Sequence, residues 1–238
     1  MKRNEFINGI KDGIPICLGY FSVSMAFGIA AVNAGISALA ATVTSLTNVT
    51  SAGQFAGINI MCAAGSLLEL AITTLIINMR YFLMSLSVSQ KVDSSMNLWQ
   101  RFLVSFGITD EIFAVSMRHT RPLTASYMYG LILTPVIGWS MGTATGAAFT
   151  SVMPRALSSA MGIALYGMFI AIVVPPAKEN FKVAIAIIMA ITASVIFTYT
   201  QIGKCISNGW AIIIITIVVS AVCATFFPVE PHKGGEGI

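Results

Sequence analysis

The sequence predicts an all-α integral membrane protein, a polytopic helical bundle of seven or eight transmembrane segments with broken helices. Three observations carry that reading. Of 238 residues, 56% are hydrophobic and 9% are charged, whereas a soluble domain carries about 25% charged residues to meet water. Mean hydropathy is +0.86. The apolar residues come in long runs without strand alternation, so helices rather than a barrel satisfy the backbone in lipid. Residues 1–227 read as a single transmembrane domain and 228–238 as a polar, disordered tail.

Eight apolar runs follow in order. The first, Ile14 to Val32, carries Pro15, Gly19 and Gly28; Lys11-Asp12 precedes it, so it reads as a retained helix rather than a cleaved signal. The second, Ser37 to Ala64, is interrupted by the polar and small residues from Asn48 to Gln54. The third runs from Leu67 to Val88. The fourth, Phe102 to Met117, is short of the roughly 20 residues a crossing needs and carries Asp110 and Glu111. The fifth runs from Ser126 to Phe149 with Pro135, the sixth from Ala156 to Val174, the seventh from Phe181 to Thr200, and the eighth from Trp210 to Phe227. An internal echo relates Pro15 to Pro135 at an offset of 120 and Gly53 to Gly167 at 114, in the manner of the repeats that build secondary transporters.

Loop charges set the topology. If all eight runs cross from a cytoplasmic N-terminus, eight Lys and Arg face the cytoplasm and four the other side. If only the fourth fails to cross, the split becomes five against seven. The positive-inside rule favours the former, with both termini cytoplasmic. The thirteen basic residues are spread thinly over the loops, which speaks against a nucleic-acid surface. Cys17, Cys62, Cys205 and Cys223 lie far apart without a Cys-x-x-Cys pattern, so neither a disulfide framework nor a metal site is expected.

The deeply placed polar residues are the functional candidates, because hydrocarbon tolerates them only where protein or water surrounds them. The break from Asn48 to Gln54 frees backbone groups that membranes allow only along a cavity, and broken helices aim their positive N-terminal ends at anionic solutes. Arg80 lies mid-run and needs an anion: Asp110, Glu111 or a solute carboxylate, which guanidinium matches in a bidentate way. Glu69 is 11 residues before Arg80, roughly 16 Å along a helix and too far to pair. Asp110 and Glu111 point about 100° apart on a helix. One pairs with Arg80 in this reading; the other, a buried carboxylate whose ionised form is disfavoured, carries a proton. Glu69 is a second proton-carrier candidate. His119 and His232 sit in polar loops. No metalloprotease, nucleophile-elbow, P-loop or dinucleotide motif occurs, so no enzyme and no cofactor is expected.

The order Pro15…Phe27-Gly28, Ala52-Gly53-Gln54-Phe55, Asn78-Met79-Arg80, Thr109-Asp110-Glu111, Trp139…Gly142-Thr143…Pro154 resembles the AzlC family, the large subunits of bacterial branched-chain amino acid exporters. The resemblance covers roughly residues 9–175. It implies export of apolar amino acids across the bacterial cytoplasmic (inner) membrane and a small hydrophobic AzlD-like membrane subunit as partner. The family's motifs fall on Gly53-Gln54, Asn78-Arg80 and Asp110-Glu111. The family commonly places His after the arginine; Tyr81 stands there in this chain, removing the histidine that a proton relay would use.

The expected function is a proton-coupled secondary transporter of apolar amino acids. Ser45, Asn48, Gly53, Gln54, Asn78 and Arg80 would bind the solute, with Met, Ile and Phe residues forming its apolar pocket. Asp110, Glu111 and Glu69 would serve proton coupling. A channel, or an accessory subunit with structural ion pairs and no solute site, is the competing expectation.

Overall fold

A computed structural model describes residues 2–152, 154–200 and 206–227. Cys205, His232 and the polar tail lie outside the described residues. Ten helices are described: α1 Lys2–Asn33, α2 Ala38–Thr47, α3 Ala52–Cys62, α4 Leu67–Ser89, α5 Leu98–Phe106, α6 Asp110–Arg118, α7 Ala125–Phe149, α8 Arg155–Glu179, α9 Phe181–Tyr199 and α10 Asn208–Phe226. Among the described residues the only β pairing is one isolated bridge, Val92 to Leu123. Four helices, α1, α4, α9 and α10, are long and apolar enough to cross a membrane. At 25 residues each, α7 and α8 reach roughly 37 Å.

The centre of the bundle is the pair α1 and α7, and small residues make it. A Cβ on Gly138 would strike Cys17, one on Gly142 would strike Phe21 and Ser24, and one on Gly146 would strike Met25. Gly9, Gly13 and Gly28 are as tightly held from the other side, against Tyr127, Thr134 and Thr143. Such close backbone approach is how helices associate without a hydrophobic driving force. The partners advance together along both helices, so α1 and α7 run parallel. Cys17, Phe21 and Met25 each face a glycine 121 positions later, which sets Pro15 and Pro135 at nearly the same level of the pair.

The second and fourth apolar runs do not pass from one end of the bundle to the other. Each turns back as an open hairpin, so neither run adds an end-to-end helix to the bundle. In the fourth run, Gly107 ends α5, and Thr109 accepts from Ile112 N to begin α6, so one short span becomes two half-helices. Lys91, just after α4, donates to the carbonyls of Ser116 and Met117 at the end of α6 (3.2 and 2.7 Å). Asp93 N bonds Leu123 O, and Leu123 N bonds Lys91 O. The start of α5 and the end of α6 therefore share the end of the bundle where α4 finishes and α7 begins.

The first hairpin, α2 and α3, enters from the opposite end. There Ile58 of α3 returns to Ala41 of α2 and to Phe27 and Ala31 near the end of α1. Breaks come from local chemistry here too. Asn48 closes α2 in an extended conformation, and Ser51 opens α3 at φ 46°, a left-handed geometry costing a non-glycine residue about 1–3 kcal/mol. Among the described residues two hairpins thus enter the bundle from opposite ends.

Further contacts agree with this sidedness. At the end where α1 begins, Glu5 faces Arg121 at 3.9 Å, Asp12 accepts from the Tyr127 hydroxyl at 2.8 Å, and the Lys182 ammonium lies 6.0 Å from the Phe227 ring centroid. At the other end, Glu69 at the start of α4 accepts from the Ser207 hydroxyl at the start of α10.

Candidate functional site

The two hairpin tips meet the middle of α4, a 23-residue helix. Thr50, in the tip of the first hairpin, donates to Asn78 Oδ1 at 2.7 Å. Two residues along α4, Arg80 Nη1 lies 2.7 Å from Asp110 Oδ2 in the tip of the second. Two steps on a helix turn the side chain by about 200°, so one stretch of α4 holds a different hairpin on each side.

Arg80 is only partly covered: its side chain is 36% exposed and that of Asp110 25%. Tyr81 supplies the remaining company. Its hydroxyl accepts from Arg80 Nη2 at 3.1 Å, and its ring centroid lies 4.9 Å from the guanidinium carbon, within cation–π range. Arg80 Nε is buried without a hydrogen-bond partner. The neighbouring acid turns elsewhere. Glu111 accepts from the Tyr20 hydroxyl of α1, which also lies 2.7 Å from Thr109 Oγ1. Asp110 and Glu111 thus tie the same tip to α4 and to α1 respectively.

Behind the first tip runs a closed circuit of buried hydrogen bonds. Trp139 Nε1 donates to Gln54 Oε1 (2.9 Å), and Gln54 Nε2 donates to Ser45 Oγ (3.0 Å). Ser45 Oγ lies 2.7 Å from Thr143 Oγ1, which donates to the Trp139 carbonyl at 3.0 Å. Since the Thr143 proton is spent on that carbonyl, Ser45 is the donor in the Ser45–Thr143 bond. Every group in the circuit is buried. Tyr20 packs edge-on against Trp139 with centroids 5.3 Å apart, joining this circuit to the second tip.

The structure therefore brings together Ser45, Asn48, Gly53, Gln54, Asn78, Arg80, Asp110 and Glu111, but in two sets. Ser45 and Gln54 belong to the circuit, and Gln54 keeps one amide hydrogen free. Gly53 packs on Thr50 and Asn78, where a Cβ would strike the Thr50 hydroxyl. Asn48 makes no side-chain hydrogen bond among the described residues and faces a cavity of about 190 Å³ shared with Gly53 and Gln54. Glu69 is not brought to this site. It sits in the first turn of α4 against Ser207 and Gly209, where the positive N-terminal ends of α4 and α10 favour a carboxylate.

Sequence reasoning missed Tyr20, Trp139 and Thr143 as members of the site. Their signal was faint: a hydroxyl-bearing ring, an indole and a threonine inside apolar helices, each needing a buried partner.

Multi-pass, helical, and built around polar groups held at mid-depth, the chain is a membrane protein of the transporter type. It belongs to the AzlC family, whose model, described as AzlC protein, matches residues 15–153. It is 29% identical over 203 residues to the inner membrane protein YgaZ of Escherichia coli K12, covering 81% of this chain and 82% of that one. It is 30% identical over 179 residues to an uncharacterized membrane protein of Archaeoglobus fulgidus, covering 74% and 78%. No solved structure matches the chain.

Proposed function

We propose that the chain is a proton-coupled secondary transporter that exports branched-chain or other apolar amino acids. In this reading it is the large subunit of a two-component exporter, working with a small hydrophobic AzlD-like membrane subunit. The observation that carries the proposal is the attachment of two opposed hairpin tips to one stretch of α4, by Thr50–Asn78 and by Asp110–Arg80. Half-helices entering from both faces and meeting at mid-depth are the architecture in which alternating access works around a fixed site.

The membrane location follows the same geometry. The end of the bundle where α1 begins gathers Lys2, Arg3, Lys11, Lys91, Arg101, Arg118, Arg121, Lys178 and Lys182; the other end has Arg155 alone among the described residues. Over the same described residues eight crossings would give seven against three, so nine against one is the stronger positive-inside bias. It supports a cytoplasmic N-terminal end, six crossings and two re-entrant hairpins. Similarity to YgaZ, an inner membrane protein, supports the bacterial cytoplasmic (inner) membrane.

Chemically, the Arg80–Asp110 pair is a neutral lock. A solute carboxylate competes with Asp110 for the guanidinium, whose planar fork can hold it in a bidentate way. Once displaced, the Asp110 carboxylate stands unpaired in a low-dielectric site and is neutralised by taking a proton. Binding of solute is thereby tied to proton uptake from the same side and to release of the second tip from α4. Solute and proton leave together, so an outward-directed proton gradient quickens export. The test is export of radiolabelled leucine from vesicles carrying the chain with its small partner subunit. Export above that of empty vesicles, quickened by a pH gradient, is the expected result; no export of any apolar amino acid refutes the proposal.

A further inference from the structure

The cavity of about 190 Å³ between the arms of the first hairpin, α1 and α4 has a definite chemical polarity. Phe27, Ala31, Ala41, Ile58 and Leu70 wall it with hydrocarbon. Thr44 and Thr74 also reach it, but each spends its hydroxyl on the carbonyl four residues back, at 2.8 and 2.7 Å. The amides of Asn48 and Gln54 remain, both at the tip end. Asn48 has no side-chain partner among the described residues, and Gln54 has one amide hydrogen to spare. Ile36 and Met61 close the opposite end.

Size supplies the second constraint. An apolar cavity of about 150 Å³ stays dry and takes a molecule as large as benzene. This one suits a branched aliphatic or thioether group of similar size and leaves little for a larger ring system. We infer that the cavity is the subsite for the aliphatic side chain of the solute, with the Asn48 and Gln54 amides at its tip end. Arg80, which does not line the cavity, belongs to the carboxylate site proposed above. The inference rests on the amino-acid export proposed above and names where selectivity is set.

Gly57 is the selectivity position. A Cβ there meets only Leu70 Cδ1, at 3.4 Å, so a side chain is tolerated by the fold and occupies the cavity. Leu70, on the facing wall, is the complementary position, since truncating it enlarges the space. The experiment compares export of leucine, valine and tryptophan by wild type, Gly57→Val and Leu70→Ala in vesicles matched for protein content. Gly57→Val should lower leucine export about tenfold relative to valine, the discrimination that a methylene-sized change in a pocket can supply. Leu70→Ala should raise tryptophan, whose indole is the larger ring system, severalfold relative to leucine. Unchanged solute ratios in both variants, with leucine still exported, overturn the subsite while leaving the transport proposal standing. A wild type that exports none of the three overturns the transport proposal itself.

Discussion

Arg80 and Asp110 meet at 2.7 Å although 30 residues separate them, and their meeting fixes the tip of one hairpin to the middle of α4. The neighbouring Asn78 holds the tip of the other hairpin through Thr50. The molecule's mid-depth polarity is thus a pair of latches on one helix.

The Arg80–Asp110 latch should be measurable as an energy. A double-mutant cycle of Arg80→Ala and Asp110→Ala, read by thermal or denaturant unfolding in detergent, should give a coupling of about 1–3 kcal/mol. Full burial would give more, but both side chains are partly exposed. Additive single-mutant effects would contradict the latch.

Trp139→Phe keeps the ring packed on Tyr20 and removes only the indole N–H. It leaves Gln54 Oε1, buried in the circuit, without its donor, which should cost about 1–3 kcal/mol. The unfolding midpoint of the purified protein checks this, and an unchanged midpoint would show that the circuit carries no stability.

Gly142→Leu should lower membrane abundance sharply, because even a Cβ at that position strikes Phe21 and Ser24 of α1. Overpacking of this kind costs about 1–3 kcal/mol. Gly167→Leu is the control, since among the described residues nothing lies within 4 Å of a Cβ there. Quantitative immunodetection of both variants separates close packing from a general penalty on glycine replacement.

Topology has a direct test. Single cysteines placed at Ser94 and Arg121 in a cysteine-free background should both react with a membrane-impermeant thiol reagent from the cytoplasmic side. A cysteine at Gly35 should react only from the other side. Eight crossings instead put Ser94 and Arg121 on opposite sides, so labelling of Ser94 from outside would eliminate the paired-hairpin arrangement.

Much of the fold was legible in the chain because membrane burial writes itself in composition. The apolar runs, the break after Asn48 and the isolation of Arg80 among apolar residues all follow from one-dimensional pattern. The offset of 120 between Pro15 and Pro135 lies one residue from the 121 that separates facing positions of α1 and α7, but the packing of these two helices was not read from the sequence. The turn-back of the hairpins was not legible. A run of 28 residues such as Ser37 to Ala64 is long enough to cross, and only Ile58 returning to Ala41 distinguishes a hairpin from a span. The second break was hidden because Gly107 and Thr109 are ordinary in a membrane helix, and their capping roles rest on local backbone geometry. Glu69 looked like a proton carrier because a buried acid in an apolar run signals function, yet a helix N-terminus 138 residues away gives it a structural home.

The pH dependence of leucine export by wild type and Asp110→Asn tests the proposed coupling most directly. In vesicles of equal protein content, wild-type export should change with the imposed pH gradient, while Asp110→Asn, which cannot exchange a proton at that position, should lose this response along with most of its rate. Wild-type rate and pH response in Asp110→Asn would contradict the assignment of the Arg80–Asp110 pair as the coupled element.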